Sequence, residues 1–511
     1  MKPEDQTSKK GARWRLFIIA EAIVIVAWLV MKNVPHFTEQ GWSGAVDLFF
    51  LFIAVGVALV WIIFFSRLPW QQRFVGIGLM MLPAALVKID GHTGSFFPQL
   101  SWRWSKESAT EMPELTGKMA DEGEVIETSG PAYFPRLLGE NMDNRVSGEL
   151  LPDGWEGKEP EELWRIEMGE GWSAFAVAGQ FAYTMDQRGS VETTTCYELQ
   201  TGNAVWTHAE KVRFEESMGG NGPRSTPTVA DGKVYSLGAT GVLNCFDART
   251  GKLIWGKDIL KEADQGIPKW AKSCSPLVVD GKVIVTLGSK ADKNLAAFAV
   301  DTGQIIWRSG DYPSSYASPV IATLAGKRQV VAIQQKAVAG YEIETGEELW
   351  SFPIGNPQSN CACPLIVGDT VITSSGYGYG THRIQIEKTE EGFEAKELWH
   401  SLKLKAKFSD MIVKGGYLYG LNDGRMTCLN LEDGKSAWRG GNYGHGQILG
   451  VGEHMIVQSE RGKISVIELN SNEEEVVTDF DALNHRTWNH PVLAGRILLV
   501  RNDREAVAFQ Y

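Results

Sequence analysis

The chain has 511 residues, of which 43% are hydrophobic and 22% are charged, so it has enough apolar side chains for a core and is not a disordered polymer. Its net charge is −12, whereas a general nucleic-acid-binding protein carries a basic surface, so we expect no nucleic-acid partner. None of the six cysteines forms a CxxC pair, which argues against a zinc ribbon or a thioredoxin-like redox site.

Three apolar stretches near the N-terminus predict a membrane anchor over residues 1–89. Residues 16–31 are apolar except for Glu21, residues 48–65 contain no charge, and residues 74–87 form a shorter run of 14 residues. A helix needs about 20 apolar residues to cross a bilayer, so the first two stretches predict spans, whereas the third is compatible with a span or a buried helix. We therefore expect a cluster of two to three transmembrane helices.

The basic residues around these stretches predict how the anchor is oriented. They precede the first stretch or separate the second from the third: Lys9, Lys10, Arg13, Arg15, Arg67 and Arg73. Between the first two stretches, the charge of Lys32 is offset by Glu39 and Asp47. The positive-inside rule then places the N-terminus and residues 67–73 in the cytoplasm, so three spans carry the rest of the chain across the membrane and two spans do not. A cleaved signal peptide is the alternative for the first stretch, but Glu21 and the lack of an A-x-A-like site count against it.

Residues 90–160 are predicted to form a polar linker. They are rich in Pro, Gly and acidic residues, most of all at 107–127, and they show no clear period. Within this segment, the apolar stretch 133–138 favours local order.

A repeated pattern governs residues 161–511. The clearest copy, residues 246–255, reads Phe-Asp-Ala-Arg-Thr-Gly-Lys-Leu-Ile-Trp, and the tryptophans that end its relatives lie 39–52 residues apart. These tryptophans are Trp164, Trp206, Trp255, Trp307, Trp350, Trp399 and Trp438. The period is typical of a four-stranded propeller blade, with the tryptophan packing between blades.

Each period opens with a strand–turn–strand, such as residues 226–235, in which Asp-Gly separates two β-branched runs and predicts a hairpin. Eight such openings occur, near residues 172, 226, 275, 318, 364, 409, 447 and 490. The last unit, residues 488–511, holds about three strands, and residues 162–168 with Trp164 can supply the fourth. The sequence therefore predicts an all-β fold, an eight-bladed β-propeller of four-stranded antiparallel blades, preceded by an α-helical transmembrane segment cluster.

The A-x-D-x-x-T-G-x-x-x-W pattern and the S-P-x-V-x-D-G-x-V-Y openings resemble the PQQ-binding-like β-propeller repeat family over residues 160–511. The resemblance implies the propeller fold. The family includes quinoprotein alcohol dehydrogenases, which bind pyrroloquinoline quinone (PQQ) and calcium, a non-enzymatic lipoprotein of outer-membrane barrel assembly, and membrane-anchored bacterial propellers, which this layout resembles most. The dehydrogenases carry two adjacent cysteines beside the cofactor, whereas this chain has Cys361-Ala-Cys363, and their catalytic and calcium-binding residues have no match here. We therefore assign no catalytic or metal-binding residue.

Alignment of the repeats identifies positions that should rim the central channel. Thr226, Ser275, Ser318 and Cys363 precede the opening proline, and His490 breaks this pattern with a titratable ring. The turns between second and third strands should lie on the same face, and most of them carry a cation: Arg188, Lys290, Lys336, Arg425, Arg461 and Arg504. Converging cations can hold an anionic ligand, such as a tricarboxylate quinone or an acidic partner segment. We predict such a ligand site at Arg188, Lys336, Arg425, Arg461, Arg504 and His490, with ordinary solvated turns as the alternative.

The cysteines have a structural and a functional interpretation. Alignment on the Thr-Gly turn brings Cys196, Cys245 and Cys428 to one position, for which we expect packing rather than redox chemistry. Cys274, together with Cys361 and Cys363, adds thiols near the channel, where a ligand role competes with ordinary filling of the channel wall.

Two functions remain open at this point. The first is a non-catalytic binding or scaffold module, anchored in the bacterial cytoplasmic (inner) membrane with its propeller on the extracytoplasmic side. Its partners would be the lipid membrane and a protein or cell-envelope polymer at a propeller face. The alternative is a PQQ-dependent dehydrogenase for alcohols or sugars that passes electrons to the membrane, with PQQ and calcium as cofactors.

Overall fold

The computed structural model describes residues 14–33, 43–119, 126, 129–130, 132–146, 160–355 and 359–510. The chain divides into two compact units, unit 1 (Met1–Lys106) and unit 2 (Glu107–Tyr511). The basic residues Lys9, Lys10 and Arg13, the acidic Glu39, and residues 120–125 and 147–159 of the predicted linker lie outside the described residues.

The described residues of unit 1 form three long helices and a hairpin. Helix α1 (Trp14–Lys32), helix α2 (Ser43–Val60), a π-helical turn (Trp61–Phe65) and helix α3 (Trp70–Leu86) precede strands β1 (Val87–His92) and β2 (Pro98–Trp102). In the described part of the chain, Trp14–Lys32 and Val46–Phe65 are long and apolar enough to cross a membrane. Helix α3 is shorter, at 17 residues, and contains Pro83.

Contacts at both ends hold α1 against α2. Near the end of α1 and the start of α2, Asp47 accepts a hydrogen bond from the Trp28 indole at 2.6 Å and pairs with the Lys32 ammonium at 3.2 Å. At the opposite end, the Trp14 and Trp61 ring centroids lie 4.5 Å apart. The two apolar helices are therefore antiparallel neighbours.

Unit 2 begins with three short strands, which are β3 (Tyr133–Phe134), β4 (Arg145–Val146) and β5 (Glu161–Glu167). Blade 1 contains β6 (Ala176–Ala178), β7 (Phe181–Arg188), β8 (Val191–Glu198) and β9 (Ala204–Glu210). Blade 2 contains β10 (Thr228–Ala230), β11 (Lys233–Leu237), β12 (Val242–Asp247) and β13 (Leu253–Asp258), followed by helix α4 (Ile259–Glu262). Blade 3 contains β14 (Leu277–Val279), β15 (Lys282–Thr286), β16 (Leu295–Ala299) and β17 (Ile305–Ser309). Blade 4 contains β18 (Val320–Leu324), β19 (Lys327–Ile333), β20 (Ala337–Tyr341) and β21 (Glu348–Pro353).

The remaining blades repeat the same antiparallel order. Blade 5 contains β22 (Leu365–Val367), β23 (Thr370–Ser375), β24 (Gly380–Thr389) and β25 (Gly392–Ser401). Blade 6 contains β26 (Ile412–Lys414), β27 (Tyr417–Asn422), β28 (Arg425–Asn430) and β29 (Ser436–Asn442). Blade 7 contains β30 (Gln447–Val451), β31 (His454–Gln458), β32 (Lys463–Glu468) and β33 (Glu475–Asp481). Blade 8 contains β34 (Val492–Ala494), β35 (Ile497–Arg501) and β36 (Glu505–Gln510).

Strand β5 completes blade 8 and closes the ring. It pairs antiparallel with β36, and Trp164 stands opposite Ala508. The sheet order is β34-β35-β36-β5, so the first strand of the repeat region is the outer strand of the last blade. This arrangement confirms the predicted eight-bladed propeller and its closure by the two chain ends.

The tryptophan of the repeat joins neighbouring blades at six of the eight junctions. The Trp255 indole of blade 2 donates a hydrogen bond to the Val300 carbonyl of blade 3 at 2.8 Å, and its ring lies against Gly303 in the Thr-Gly turn of that blade. Equivalent bonds join Trp164 to Leu199, Trp206 to Ala248, Trp307 to Ile343, Trp399 to Leu431 and Trp438 to Asn470. The Thr-Gly turn therefore supplies both an acceptor and the space for a neighbouring indole.

The small residue of the repeat stands opposite the same tryptophan. Cys245 pairs with Trp255 across the sheet, next to a β-bulge, and is fully buried, as the packing interpretation requires. In blade 4 the slot is Gly340, where a Cβ would lie 2.2 Å from the Trp350 indole nitrogen. Trp350 departs from the repeat because its indole donates to Gln329 of its own blade at 2.6 Å. The blade that follows lacks a Thr-Gly turn and has ten-residue third and fourth strands instead.

Residues 132–146 of the predicted linker enter the central channel. The first strand of a blade is the innermost one, and β3 adds to the inner edge of β6 while β4 adds in parallel to the inner edge of β30. Between these two strands, the Pro135 carbonyl accepts a hydrogen bond from the Val229 amide of blade 2 at 2.8 Å. We call residues 132–146 the channel segment.

Side chains anchor the channel segment to the surrounding blades. The Arg145 guanidinium donates to the carbonyls of Val413 and Gly452, both at 2.8 Å. Leu138 and Met142 are buried in one apolar cluster with residues of blades 3, 4 and 5. The channel segment therefore contacts blades around the whole ring, and it fills the channel with the chain itself.

The indole–glycine contact predicts a difference between two glycines that have the same backbone conformation. Gly303 (φ +66°) faces Trp255, with an added Cβ 2.6 Å from the ring, whereas Gly281 (φ +70°) has no atom within 4 Å of an added Cβ. Both Gly→Ala substitutions carry the cost of a positive φ, and only Gly303→Ala adds a clash. We expect Gly303→Ala to destabilise the full chain by about 1–3 kcal/mol more than Gly281→Ala in denaturant unfolding. Equal losses would contradict this account of the repeat.

Candidate functional site

A row of hydrogen bonds links blades 1 to 6 along the channel, at the positions that precede the innermost strands. In each case the backbone N–H of one blade donates to the side chain of the next. The bonds are Ala174 to Thr226 (3.1 Å), Thr226 to Ser275 (2.9 Å), Ser275 to Ser318 (2.8 Å), Ser318 to the Cys363 thiol (3.4 Å) and Cys363 to Asp410 (2.6 Å). These small polar groups therefore rim the channel, as predicted, and they also link the blades.

His490 connects this rim to the channel segment. Its Nδ1 lies 2.7 Å from its neighbour's carbonyl, Pro491 O, and its Nε2 lies 2.7 Å from the Asn144 side-chain amide. Burial lowers the pKa of His490 to about 4, so the ring is neutral at pH 7. The group that faces Nε2 is Asn144 Oδ1, and a neutral ring, which carries one N–H, can donate to only one of these two acceptors. His490 therefore holds the channel segment in place.

The predicted cations lie on turns of one face, where the second-to-third-strand turns meet the connections between blades. Arg188 is buried, pairs with Asp186 at 2.9 Å and donates to the Glu111 and Glu167 carbonyls. Arg504 lies beside the same closing strand, because its carbonyl accepts the Met168 amide. The others stand on separate blades with exposed side chains: Lys290, Lys336, Arg425 and Arg461. The structure brings Arg188 and Arg504 together, and ligand binding by these residues and His490 stays a prediction.

Sequence reasoning missed a stronger cluster, located three residues before the opening proline. This position holds Trp172, Arg224, Ser273, Tyr316, Cys361, Phe408, His445 and Trp488 in blades 1 to 8. The signal was available, since the same repeat alignment shows aromatic or cationic residues at six of these eight positions. Together with nearby residues they form what we call the mouth cluster: Trp172, Arg224, Trp270, Tyr316, Tyr377, Lys407, Phe408, Arg486 and Trp488.

The centre of the mouth cluster is a guanidinium that packs against two neighbouring indoles. Arg486 lies 4.6 Å from the Trp172 ring and 4.5 Å from the Trp488 ring, a cation–π arrangement. The two rings are 5.0 Å apart, and Phe408 extends the aromatic row 5.5 Å beyond Trp488. The channel mouth thus holds a row of aromatic rings in which Phe408 and Trp488 are partly exposed, whereas Trp172 and Arg486 are buried.

Two further cations flank this row. Lys407 Nζ lies 4.6 Å from the Tyr377 ring and 5.2 Å from the Phe408 ring. Burial lowers the pKa of Lys407 to about 8, with Asp423 and Glu460 opposing the shift, so the amine is mainly protonated at pH 7. Burial also lowers the pKa of Arg224, to about 10, which leaves it charged.

The connection between blades 1 and 2, residues 211–224, folds over the cluster. The Trp172 indole donates to the Gly219 carbonyl at 2.7 Å, and Arg224 donates to the Gly220 and Gly222 carbonyls at 2.7 and 2.8 Å. A Cβ on Gly220 would lie 2.8 Å from both Arg486 Nη2 and the Trp172 ring. Glycine thus lets this backbone rest directly on the aromatic row.

Calcium requires several carboxylate or carbonyl oxygens around one point, and no group of three or more His, Cys, Asp or Glu side chains in the described ranges can hold a metal ion. Asp410 at the rim instead binds the Cys363 amide, and burial raises its pKa to about 6. Burial likewise raises the pKa of the free Cys361 thiol to about 12.

Comparisons with known proteins identify the same fold. A family model described as outer membrane protein assembly factor BamB matches residues 158–255 and 187–440, together more than half of the chain. BamB from Moraxella catarrhalis superimposes with a TM-score of 0.52 at 14% identity and covers 69% of this chain and 98% of its own. A europium-containing methanol dehydrogenase (TM-score 0.55, 11% identity, 74% and 90% covered) is also similar. The quinohemoprotein alcohol dehydrogenase from Comamonas testosteroni is similar as well, with a TM-score of 0.55 at 12% identity, and it covers 75% of this chain and 81% of its own. Comparison with curated proteins gives no match.

Neutral His490 predicts a specific loss of stability in acid. The pKa is about 4 in the folded chain and about 6.5 in an unfolded one, so between these values the unfolded state binds the extra proton and is favoured as pH falls. Relative to His490→Gln, we expect the wild-type chain to lose about 2 kcal/mol between pH 7 and pH 5 in denaturant unfolding. The other titrating groups are common to both proteins, so parallel pH profiles would contradict a neutral, buried His490.

Proposed function

The chain belongs to the family of the outer membrane protein assembly factor BamB, and from this membership we propose that it is a non-catalytic module that binds a protein partner at the mouth cluster. The observation that carries the proposal is the filled channel beneath an aromatic and cationic mouth. Because the channel segment occupies the centre of the ring, recognition is confined to the surface of the mouth and the connections around it.

The composition of the mouth cluster supports a protein partner. Trp, Tyr and Arg are the side chains that contribute most to protein–protein binding energy, and they cluster near the centre of interfaces. Trp270, Tyr316, Tyr377 and Trp488 are half-buried, so each keeps one part fixed in the propeller and another part accessible. Such rigid, partly exposed rings lose little conformational entropy when a partner covers them.

The charges of the cluster support an acidic partner segment. Arg224 is partly exposed, and the buried Lys407 and Arg486 add positive charge beneath it. The local dielectric among the aromatic rings is lower than in water, so the attraction of a carboxylate to this charge is stronger. An extended segment with acidic and aromatic residues would satisfy both features. The rim hydrogen bonds keep the blades beneath the cluster fixed.

Membrane association on the extracytoplasmic side completes the proposal. The helical segments Trp14–Lys32 and Val46–Phe65 are long and apolar enough to cross a bilayer, and the matched family is described as outer membrane protein assembly factor BamB. A third span through α3 would carry the propeller out of the cytoplasm. The propeller would then lie close to the cell-envelope proteins from which we expect its partner.

Arg224 should govern binding of an acidic, aromatic peptide. The probe is a short dye-labelled peptide rich in aspartate and phenylalanine, titrated against the full chain in lipid nanodiscs by fluorescence polarisation. We expect Arg224→Gln to weaken binding about tenfold, or about 1.4 kcal/mol, and added salt to weaken wild-type binding. Arg308→Gln is the matched control, because Arg308 lies on the outer strand of blade 3 beside Asp292. Equal binding to all three proteins, or equal binding of a lysine-for-aspartate peptide, would contradict the proposal.

A dehydrogenase is the second candidate, because two of the similar structures are alcohol dehydrogenases and the mouth carries cations suited to an anionic quinone. The sequence Cys361-Ala-Cys363, in place of the adjacent cysteine pair of the dehydrogenases, weighs against it. With added pyrroloquinoline quinone, calcium and a panel of alcohols and sugars, we expect the full chain to reduce no artificial dye acceptor. Saturable quinone binding together with substrate-dependent dye reduction would contradict the non-catalytic binding function and favour the dehydrogenase.

A further inference from the structure

The hairpin that follows α3 has one apolar face and one polar face. In its register Val87 stands opposite Trp102 and Ile89 opposite Leu100, while Lys88 stands opposite Ser101. Side chains alternate between the two faces of a strand, so Val87, Ile89, Leu100 and Trp102 share one face. Such a pattern is typical of a sheet that covers an apolar layer.

This face is uncovered in unit 1. Ile89 is 58% exposed, Leu100 67% and Trp102 52%, and Trp104 just beyond the strand is 68% exposed. The Trp102 and Trp104 rings stack with their centroids 5.2 Å apart and their planes 11° from parallel. A two-stranded hairpin is marginally stable in water without a partner for its apolar face, and a contiguous exposed patch of this kind marks an interaction surface.

The apolar face continues directly from a helix of the anchor. Strand β1 begins at the residue after α3, and the Arg103 amide donates to the Leu86 carbonyl at 3.0 Å, which ties the return strand to the helix end. Helix α3 also exposes large apolar side chains, including Phe74 and Leu79. Whatever surrounds the helix therefore extends to the hairpin without a break.

We propose that the β1–β2 hairpin lies in the interfacial layer of a lipid bilayer, with Val87, Ile89, Leu100 and Trp102 toward the acyl chains. Tryptophan favours this layer because its ring is apolar and its N–H is polar. Lys88, Arg103 and Lys106 outnumber Asp90 in residues 87–106, which suits the phosphates of the headgroups. The hairpin is thus a second membrane contact that fixes the exit of the chain from the anchor.

Photo-crosslinking of the full chain in phospholipid nanodiscs tests this location. The photoreactive residue p-benzoylphenylalanine replaces Leu100, and mass spectrometry distinguishes lipid adducts from protein adducts. The same residue in place of Phe52, which is exposed on α2, is the positive control, and in place of Ile306, exposed on blade 3, the negative control. We expect lipid adducts at position 100 to approach those at position 52 and to exceed those at position 306 by about tenfold or more.

Neighbouring positions sharpen the result. Ser101 lies on the opposite face, so a substitution there should give several-fold fewer lipid adducts than one at Leu100. Adducts at position 100 to the propeller or to a second copy of the chain, in place of lipid, would overturn the proposal. So would equal lipid labelling at positions 100 and 101, or no lipid labelling at positions 52 and 100, since the location depends on an inserted anchor.

Discussion

The pairing of β5 with β36 is the interaction on which the propeller depends. It removes the two sheet edges that an open ring would expose, and it places Trp164 both opposite Ala508 in blade 8 and against the Thr-Gly turn of blade 1. One strand thus completes a sheet and also supplies the indole contact to the next sheet. The channel segment, residues 132–146, precedes this strand in sequence and contacts the same ring.

Much of the fold could be predicted from the sequence because the repeat encodes local and interblade contacts together. The tryptophan and the Thr-Gly turn recur at regular spacing and indicated the blades, the eight strand–turn–strand openings gave the blade count, and Trp164 with the three-stranded last unit indicated the closing strand. The channel segment has no such period. Its backbone includes Leu138, Met142 and Asn144 at positive φ, and these residues are held there by contacts with distant blades rather than by local preference.

The candidate site shows a similar division. The rim positions were found because they adjoin the opening proline, and the structure shows that their small side chains form hydrogen bonds between blades. Arg188 was predicted from its turn, but its ion pair with Asp186 depends on the fold of blade 1. The mouth cluster was missed, since Arg486, Trp172 and Trp488 come from opposite ends of the repeat region and meet only when the ring closes.

Trp350 shows how a closed ring can contain unequal members. Its indole donates its hydrogen bond to Gln329 inside its own sheet. Blade 5 therefore does not need the acceptor carbonyl and the turn glycine that the other tryptophans contact in the following blade. In blade 5 the outer two strands have ten residues each. The outer hairpin of one blade can therefore lengthen without a change in the number of blades or in the closure of the ring.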